Sequence, residues 1–221
     1  MFAPNLAVTS DRWDAILSPS IGSAPQMGDL VTMAKFFGNL NAVVAVGFVL
    51  TAVLLFATNS AGNMIGWMTF LHVLSGIMWI GLLYYFNFVQ IPTMPSVPAE
   101  LKPGITKYIA PKALWWFRWG AVATVVTGIA VAGSKQYLGQ ALSFVEGYRL
   151  IGIGMWLALI MAANVWFIIW PNQKKALGIV EADADTKAKA ASTAMMASRT
   201  NCALSIPMLF AMVLQNLGGA V

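Results

Sequence analysis

The sequence has 221 residues, of which 59% are hydrophobic and only 10% are charged. An average soluble domain has about 45–50% apolar and about 25% charged residues, so a water-soluble fold of this length could not bury so much apolar surface. The net charge of +5 does not indicate a nucleic-acid partner, because the basic residues form no stripe interleaved with exposed aromatic residues. The single cysteine, Cys202, excludes an intrachain disulfide, a CxxC redox pair and covalent c-type haem attachment.

The first 36 residues are polar and show no basic segment followed by an apolar run, so we expect no cleaved signal peptide. We interpret residues 1–36 as a cytoplasmic leader that could dock against the rest of the protein. Residues 37–221 are then expected to form a single transmembrane domain.

Five apolar segments are long enough, at about 20 residues each, to cross the hydrocarbon core of a bilayer. They predict an all-α, polytopic transmembrane helical bundle with spans at 37–57, 65–89, 113–133, 150–170 and 201–220. Pro207 interrupts the fifth span, which we expect to be kinked. The segment from Gln90 to Lys112 contains four prolines and predicts a rigid excursion between two spans, whereas the Ala-rich segment 181–198 predicts a helix that continues into the fifth span.

The basic residues predict the orientation of these spans. If the N-terminus is cytoplasmic, ten Lys and Arg residues lie on the cytoplasmic side, two lie on the other side, and Arg118 lies within a span. The positive-inside rule therefore predicts a multi-pass protein of the bacterial inner membrane with its N-terminus inside and its C-terminus outside. Several tryptophans fall near the span ends and are typical of an interfacial aromatic belt: Trp67, Trp115, Trp116, Trp119 and Trp170.

His72, the only histidine, lies in the predicted outer half of the second span and shares a helical face with Gly76 and Trp79. One interpretation is a neutral histidine that is hydrogen-bonded to a neighbouring helix. The other is an axial ligand to a haem or another tetrapyrrole, or a proton-relay group. A bis-histidine haem within this chain is excluded, and Met155 and Met212 lie at a suitable depth for a sixth ligand. We expect no protein-ligated zinc or copper site, because such sites usually need three or four side-chain ligands.

A second group of polar residues is predicted to reach similar depth near the cytoplasmic ends of the spans. The group consists of Asn87, Arg118, Asn164, Asn172, Arg199 and Asn201. Two guanidinium groups with several amides could bind an anion or a planar heterocycle, because arginine offers two parallel donors. Alternatively, the arginines extend to lipid headgroups while the asparagines connect helices.

Four stretches resemble, in order, the membrane domain of bacterial cytochrome c-linked urate oxidases, the urate hydroxylase family. They are LHVLSGIMWIGLLYYFNFVQIP at 71–92, WWFRWGAVATVVTGIAV at 115–131, MAANVWFIIWPNQKKAL at 161–177 and SRTNCALSIPMLFAMV at 198–213. The resemblance implies a helical membrane domain that oxidises urate and passes electrons to a cytochrome c, with His72 and the Pro-Asn-Gln segment near its functional site. The CxxCH motif of the family's C-terminal haem domain has no counterpart here, and Thr200 stands where the family tends to carry a histidine.

Two functions follow from these patterns. We favour a non-catalytic or accessory membrane subunit of a larger complex, of a redox or energy-transducing kind, that is built on a urate oxidase-like scaffold. The alternative is a membrane-bound oxidoreductase that oxidises urate or a similar heterocycle and passes electrons to a separate cytochrome c. The expected partners are the lipid bilayer and either other membrane subunits or a cytochrome c.

Overall fold

A computed structural model describes residues 27–217, and the chain divides at Gly62 into two compact units, which are described separately. Most of the predicted leader, residues 1–26, and the end of the fifth predicted span, residues 218–220, lie outside the described residues. The first unit contains helix α1, Met27–Phe37, and helix α2, Leu40–Ala57. Helix α2 is apolar on all sides and none of its residues is buried. Such a helix is stable only where lipid or another apolar surface surrounds it.

The second unit contains four long helices and one short one. Helix α3 is Met64–Ser96, α4 is Lys102–Ser134, α5 is Leu138–Leu142, α6 is Arg149–Ala176 and α7 is Ala184–Asn216. Helix α2 and these four long helices are long and apolar enough to cross a membrane, as the sequence predicted, and no strand occurs between residues 27 and 217. The prediction of an all-α transmembrane fold is therefore confirmed. The direction in which the helices cross the membrane stays a prediction.

The observed helices are longer than the predicted spans. Helices α3 and α4 have 33 residues each and are therefore about 50 Å long, well beyond the roughly 30 Å of a bilayer core. The proline-rich segment 90–112 is largely helical and leaves only residues 97–101 as a connection. The break at residues 97–101 agrees with the prediction that this segment is not one long helix. The excursion is shorter than the whole segment, because α3 continues to Ser96 and α4 begins at Lys102 with Pro103 in its first turn. At such positions the missing N–H of proline costs no hydrogen bond.

Widened π-helical turns precede three prolines. They comprise Tyr85–Gln90 before Pro92, Ile105–Ile109 before Pro111 and Val165–Ile169 before Pro171. In each case the residue directly before the proline donates its backbone N–H to the carbonyl five residues earlier, from Ile91 to Phe86, from Ala110 to Ile105 and from Trp170 to Val165. A proline ring collides with the carbonyl four residues before it in a regular α-helix. The wider turn lets each helix continue through its proline. The third such turn contains Trp166 and is followed directly by Trp170, and these are the aromatic residues of the site described below.

The core of the second unit lies between its four long helices. Trp79, Leu83 and Phe86 of α3 pack with Phe117 of α4, Met161 and Val165 of α6, and Met208 of α7. Trp79, Leu83 and Val165 are completely buried. Gly120 permits α3 to approach α4, because a Cβ atom there would lie only 3.3 Å from the backbone nitrogen of Trp79.

The contact between α5 and the start of α6 depends on a glycine. A Cβ atom at Gly152 would collide with the carbonyl oxygen of Ala141, which is itself completely buried. Gly152→Ala is therefore expected to lower the free energy of unfolding by about 1–3 kcal/mol, the usual cost of overpacking. Gly81→Ala is the matched control, because no atom lies within 4 Å of a Cβ at that helical position. Thermal unfolding of the detergent-solubilised variants measures the difference, and equal midpoints would contradict the described packing.

Asp183 caps the N-terminus of α7. Its carboxylate accepts hydrogen bonds from the backbone N–H of Thr186 at 2.8 Å and from the Thr186 hydroxyl at 2.7 Å, and these bonds lower the pKa of Asp183 below its ordinary value of 3.8. The cap therefore stabilises the helix at neutral pH and is lost only as the pH falls through this lowered pKa. Asp183→Ala is expected to speed amide hydrogen exchange over residues 184–187 at neutral pH, measured by mass spectrometry, whereas Glu181→Ala should leave the exchange unchanged.

Candidate functional site

Three asparagines of the predicted polar group form hydrogen bonds within the second unit. The Asn164 amide of α6 donates to the side-chain oxygen of Asn201 at 2.7 Å and to the carbonyl of Ala197 at 3.0 Å. Asn201, which is completely buried, donates in turn to the carbonyl of Met161 at 3.0 Å. These bonds connect α6 to α7, because each amide donates to the backbone of the opposite helix and the two amides also bond to each other.

Asn87 plays the same part between α3 and α7. Its amide donates to the Leu83 carbonyl at 2.8 Å and to the Ser198 hydroxyl at 2.9 Å. One turn of α7 beyond Asn201, the Ser205 hydroxyl lies 3.0 Å from the hydroxyl of Tyr84. Sequence reasoning missed Tyr84, Ser198 and Ser205, although the spacing of Ser198, Asn201 and Ser205 by three and four residues already places them on one face of a helix.

The remaining members of the group do not join this network. Asn172 donates to the carbonyl of Ile168 in its own helix at 2.8 Å, and Arg199 is exposed. Asn164 also lines an open groove of about 490 Å³ between α6 and α7, but the rest of that groove is apolar apart from Thr200. The six predicted residues therefore do not converge on one enclosed cavity in the described part of the chain.

Arg118 has a setting of its own. Only 7% of its surface is exposed, and its guanidinium carbon lies 3.4 Å from the centre of the Trp170 ring and 6.0 Å from that of Trp166. The Nη1 atom of Arg118 and the ring nitrogen of Trp166 are both enclosed, and neither has a hydrogen-bond partner among the described residues. Both atoms are donors, and no described acceptor forms a hydrogen bond with either of them. Sequence reasoning named Arg118 but not Trp166, whose spacing of four residues from Trp170 was the available signal.

His72 connects α3 to α4. Its Nδ1 atom lies 2.9 Å from the carbonyl oxygen of Thr124 and 3.3 Å from the hydroxyl of Thr127. A carbonyl oxygen only accepts hydrogen bonds, so Nδ1 carries a proton, and a neutral ring would keep a free electron pair on Nε2. Gly128 makes room for the ring, because a Cβ atom there would lie 2.8 Å from His72 Cε1. Trp79, which shares the helical face of His72, is completely buried in the core.

A cavity of about 120 Å³ adjoins His72. Met155 and Met212, the predicted sixth-ligand candidates, line the same cavity, as do several leucines and other apolar residues of α4, α5 and α6. Pockets for small organic ligands usually measure about 300–1,000 Å³. The residues around His72 therefore do not fit a tetrapyrrole, although a backbone carbonyl that fixes one imidazole nitrogen is also common behind metal-ligating histidines.

The contribution of the Asn164–Asn201 pair to the stability of the protein can be tested directly. Asn201→Leu would remove one hydrogen bond from the Asn164 amide and one from the Met161 carbonyl. A buried hydrogen bond in a membrane protein contributes about 0.6–2 kcal/mol. We expect a lower unfolding midpoint for the solubilised variant. Thr200→Val is the adjacent control, because the exposed Thr200 hydroxyl bonds only to the Met196 carbonyl of its own helix. Equal midpoints for both variants would show that the amide pair is dispensable.

Comparison with known proteins gives one match. Residues 137–218 match the family model described as urate oxidase N-terminal, whereas no curated protein and no solved structure matches the chain. The matched segment comprises α5, α6 and α7, and it includes Asn164, Asn172, Arg199 and Asn201 but not His72, Asn87 or Arg118. This part of the chain is therefore similar to the N-terminal domain of urate oxidases and forms a urate oxidase-like region of a membrane-type helical protein.

Proposed function

We propose that this chain is a non-catalytic, accessory subunit of a larger membrane complex of a redox or energy-transducing kind, located in the bacterial inner membrane. In this proposal the urate oxidase-like region serves as a packing scaffold. Its partners are other membrane subunits, and its substrate-binding function has been lost or was never present.

The proposal rests on the hydrogen bonds that the asparagine side chains make. The amide groups of Asn87, Asn164 and Asn201 donate hydrogen bonds across helix interfaces. Their acceptors are a serine hydroxyl, backbone carbonyls and, for Asn164, the side-chain oxygen of Asn201. In a lipid environment such bonds contribute to helix association, because the alternative is an unsatisfied polar group in hydrocarbon. An amide NH2 group that donates to a neighbouring helix is not free to donate to a substrate, and only the side-chain oxygens of Asn87 and Asn164 are left without a partner among the described residues. This supports the scaffold role over a catalytic role for the same residues.

The separation of the two remaining polar residues supports the same conclusion. His72 contacts Thr124, and Arg118 lies six residues earlier on α4, about 9 Å along the helix axis. His72 faces a cavity of about 120 Å³, whereas Arg118 lies against Trp170. A single compact site for acid–base chemistry on urate would need both groups within reach of one substrate.

One observation favours the alternative, an enzyme that oxidises urate or a similar heterocycle. The unpartnered donors of Arg118 and Trp166 lie beside aromatic rings, which is suitable chemistry for a planar anion. In that case the electrons would pass to a separate cytochrome c.

The two functions are distinguished by purification from native membranes through an affinity tag in mild detergent. We expect a stoichiometric set of other membrane subunits, no Soret absorption that depends on His72, and no urate-dependent reduction of added cytochrome c. Membranes that contain a cytochrome c-linked urate oxidase serve as the positive control for the assay. Urate turnover that Arg118→Lys abolishes while folding stays intact, or a Soret band that disappears in His72→Ala, would overturn the accessory role.

A further inference from the structure

Arg118 is a buried cation without a counter-ion. The five acidic residues of the second unit, Glu100, Glu146, Glu181, Asp183 and Asp185, are all exposed, and no carboxylate pairs with Arg118 among residues 63–217. Within an apolar helical bundle an uncompensated guanidinium is costly, and such groups almost always pair with another charge or polar group. The setting of Arg118 therefore favours an anionic partner from outside the described residues, since Trp170 supplies only a cation–π contact.

A second cation lies on the same aromatic ring. The Lys174 ammonium is 5.6 Å from the centre of the Trp170 ring, on which the Arg118 guanidinium stacks at 3.4 Å. Both cations therefore lie against the same indole, and neither forms an ion pair with an acidic residue of the second unit. Lys174 is partly buried, whereas its neighbour Lys175 is exposed. Arg118, Trp170 and Lys174 together are called the cation pair site.

Simple extension of Arg118 to the headgroup region does not describe this arrangement. A snorkelling arginine extends along the surface and keeps its charged end accessible. Arg199 is exposed, which fits that description. Arg118 instead lies against Trp170, and only 7% of its surface is exposed. Stacking on the ring restricts the guanidinium, and such pre-organisation lowers the cost of binding an anion.

The tryptophans near Arg118 on α4 indicate that a lipid headgroup is the anion available to it. On α4, the side chains of Trp115, Trp116 and Trp119 next to Arg118 are 47%, 54% and 47% exposed. Exposed tryptophans on apolar helices mark the level of the lipid headgroups. Arginine binds phosphate oxygens through two parallel hydrogen bonds, and lysine adds a point charge.

We propose that the cation pair site binds the phosphate of an anionic phospholipid, with Arg118 as the inner donor and Lys174 as the outer cation. This proposal goes beyond the accessory role and does not depend on it. Basic pockets between membrane helices are known to recognise lipid headgroups in this way.

The test is native mass spectrometry of the full chain in detergent with added phosphatidylglycerol, and with phosphatidylcholine of the same acyl chains as reference. Lys174→Gln is expected to weaken phosphatidylglycerol binding about five-fold, the usual contribution of one cation near anionic lipid. Arg118→Gln is expected to weaken it at least as much. Lys175→Gln is the matched control, since it removes the same charge from the next position and should leave binding unchanged. Phosphatidylcholine should bind the wild type more weakly than phosphatidylglycerol.

A second arm separates a lipid from a soluble source of phosphate. The unfolding midpoints of the wild type and Lys174→Gln are compared with and without inorganic phosphate at constant ionic strength. Lipid discrimination without an effect of inorganic phosphate supports the headgroup. Stabilisation of only the wild type by inorganic phosphate, with no lipid discrimination, overturns the lipid source. Equal phosphatidylglycerol binding in the wild type and Lys174→Gln, or an equal loss in Lys175→Gln, overturns the site altogether.

Discussion

The hydrogen bond between Asn164 and Asn201 fixes how the last two long helices meet, and much of the second unit is arranged around the helix face that carries it. In a lipid-exposed bundle the apolar surface provides little preference between alternative packings, because lipid tails are as apolar as the side chains. A polar group at one depth therefore determines the register. On α7, the buried residues Ser198, Asn201 and Ser205 follow at helical spacing, and Met208 continues the same face into the apolar core. Ser198 and Ser205 bond to α3 and Asn201 bonds to α6, so one face of α7 orders three helices at once.

The π-helical turns allow three of the long helices to continue past their prolines. Without a widened turn, each X-Pro step would end or sharply bend its helix. With it, α3, α4 and α6 continue well beyond the length that a bilayer core requires. On α6 the turn Val165–Ile169 lies between Asn164, which bonds to α7, and Trp170, which stacks on Arg118 of α4. The π-helical turn of α6 thus lies between the Asn164–Asn201 hydrogen bond and the cation pair site. Such turns occur frequently at functional sites.

The sequence predicted the helical class and the number of spans because hydrocarbon imposes a length and a composition that are readable without any tertiary information. It did not predict where the helices end, because the first turn of a helix tolerates proline and because the π-turns restore hydrogen bonds that a proline-rich segment was expected to lose. The depth of Asn87, Asn164 and Asn201 was readable, but their partners were not, since a partner depends on the rotation of each helix about its axis. The role of Trp170 was hidden for the same reason, because an aromatic residue near a span end is normally interfacial.

The polar groups inside the second unit differ in what they need from outside the chain, and this difference guides the search for function. The NH2 groups of Asn87, Asn164 and Asn201 all donate within the fold, so packing alone accounts for these donors. His72 satisfies one nitrogen and faces a cavity that has room for only a small occupant. Arg118 alone combines a permanent charge, burial and an enclosed donor without an acceptor in the described residues. Since uncompensated charge is the costliest of these three conditions, Arg118 is the first of these polar residues at which to look for an external partner.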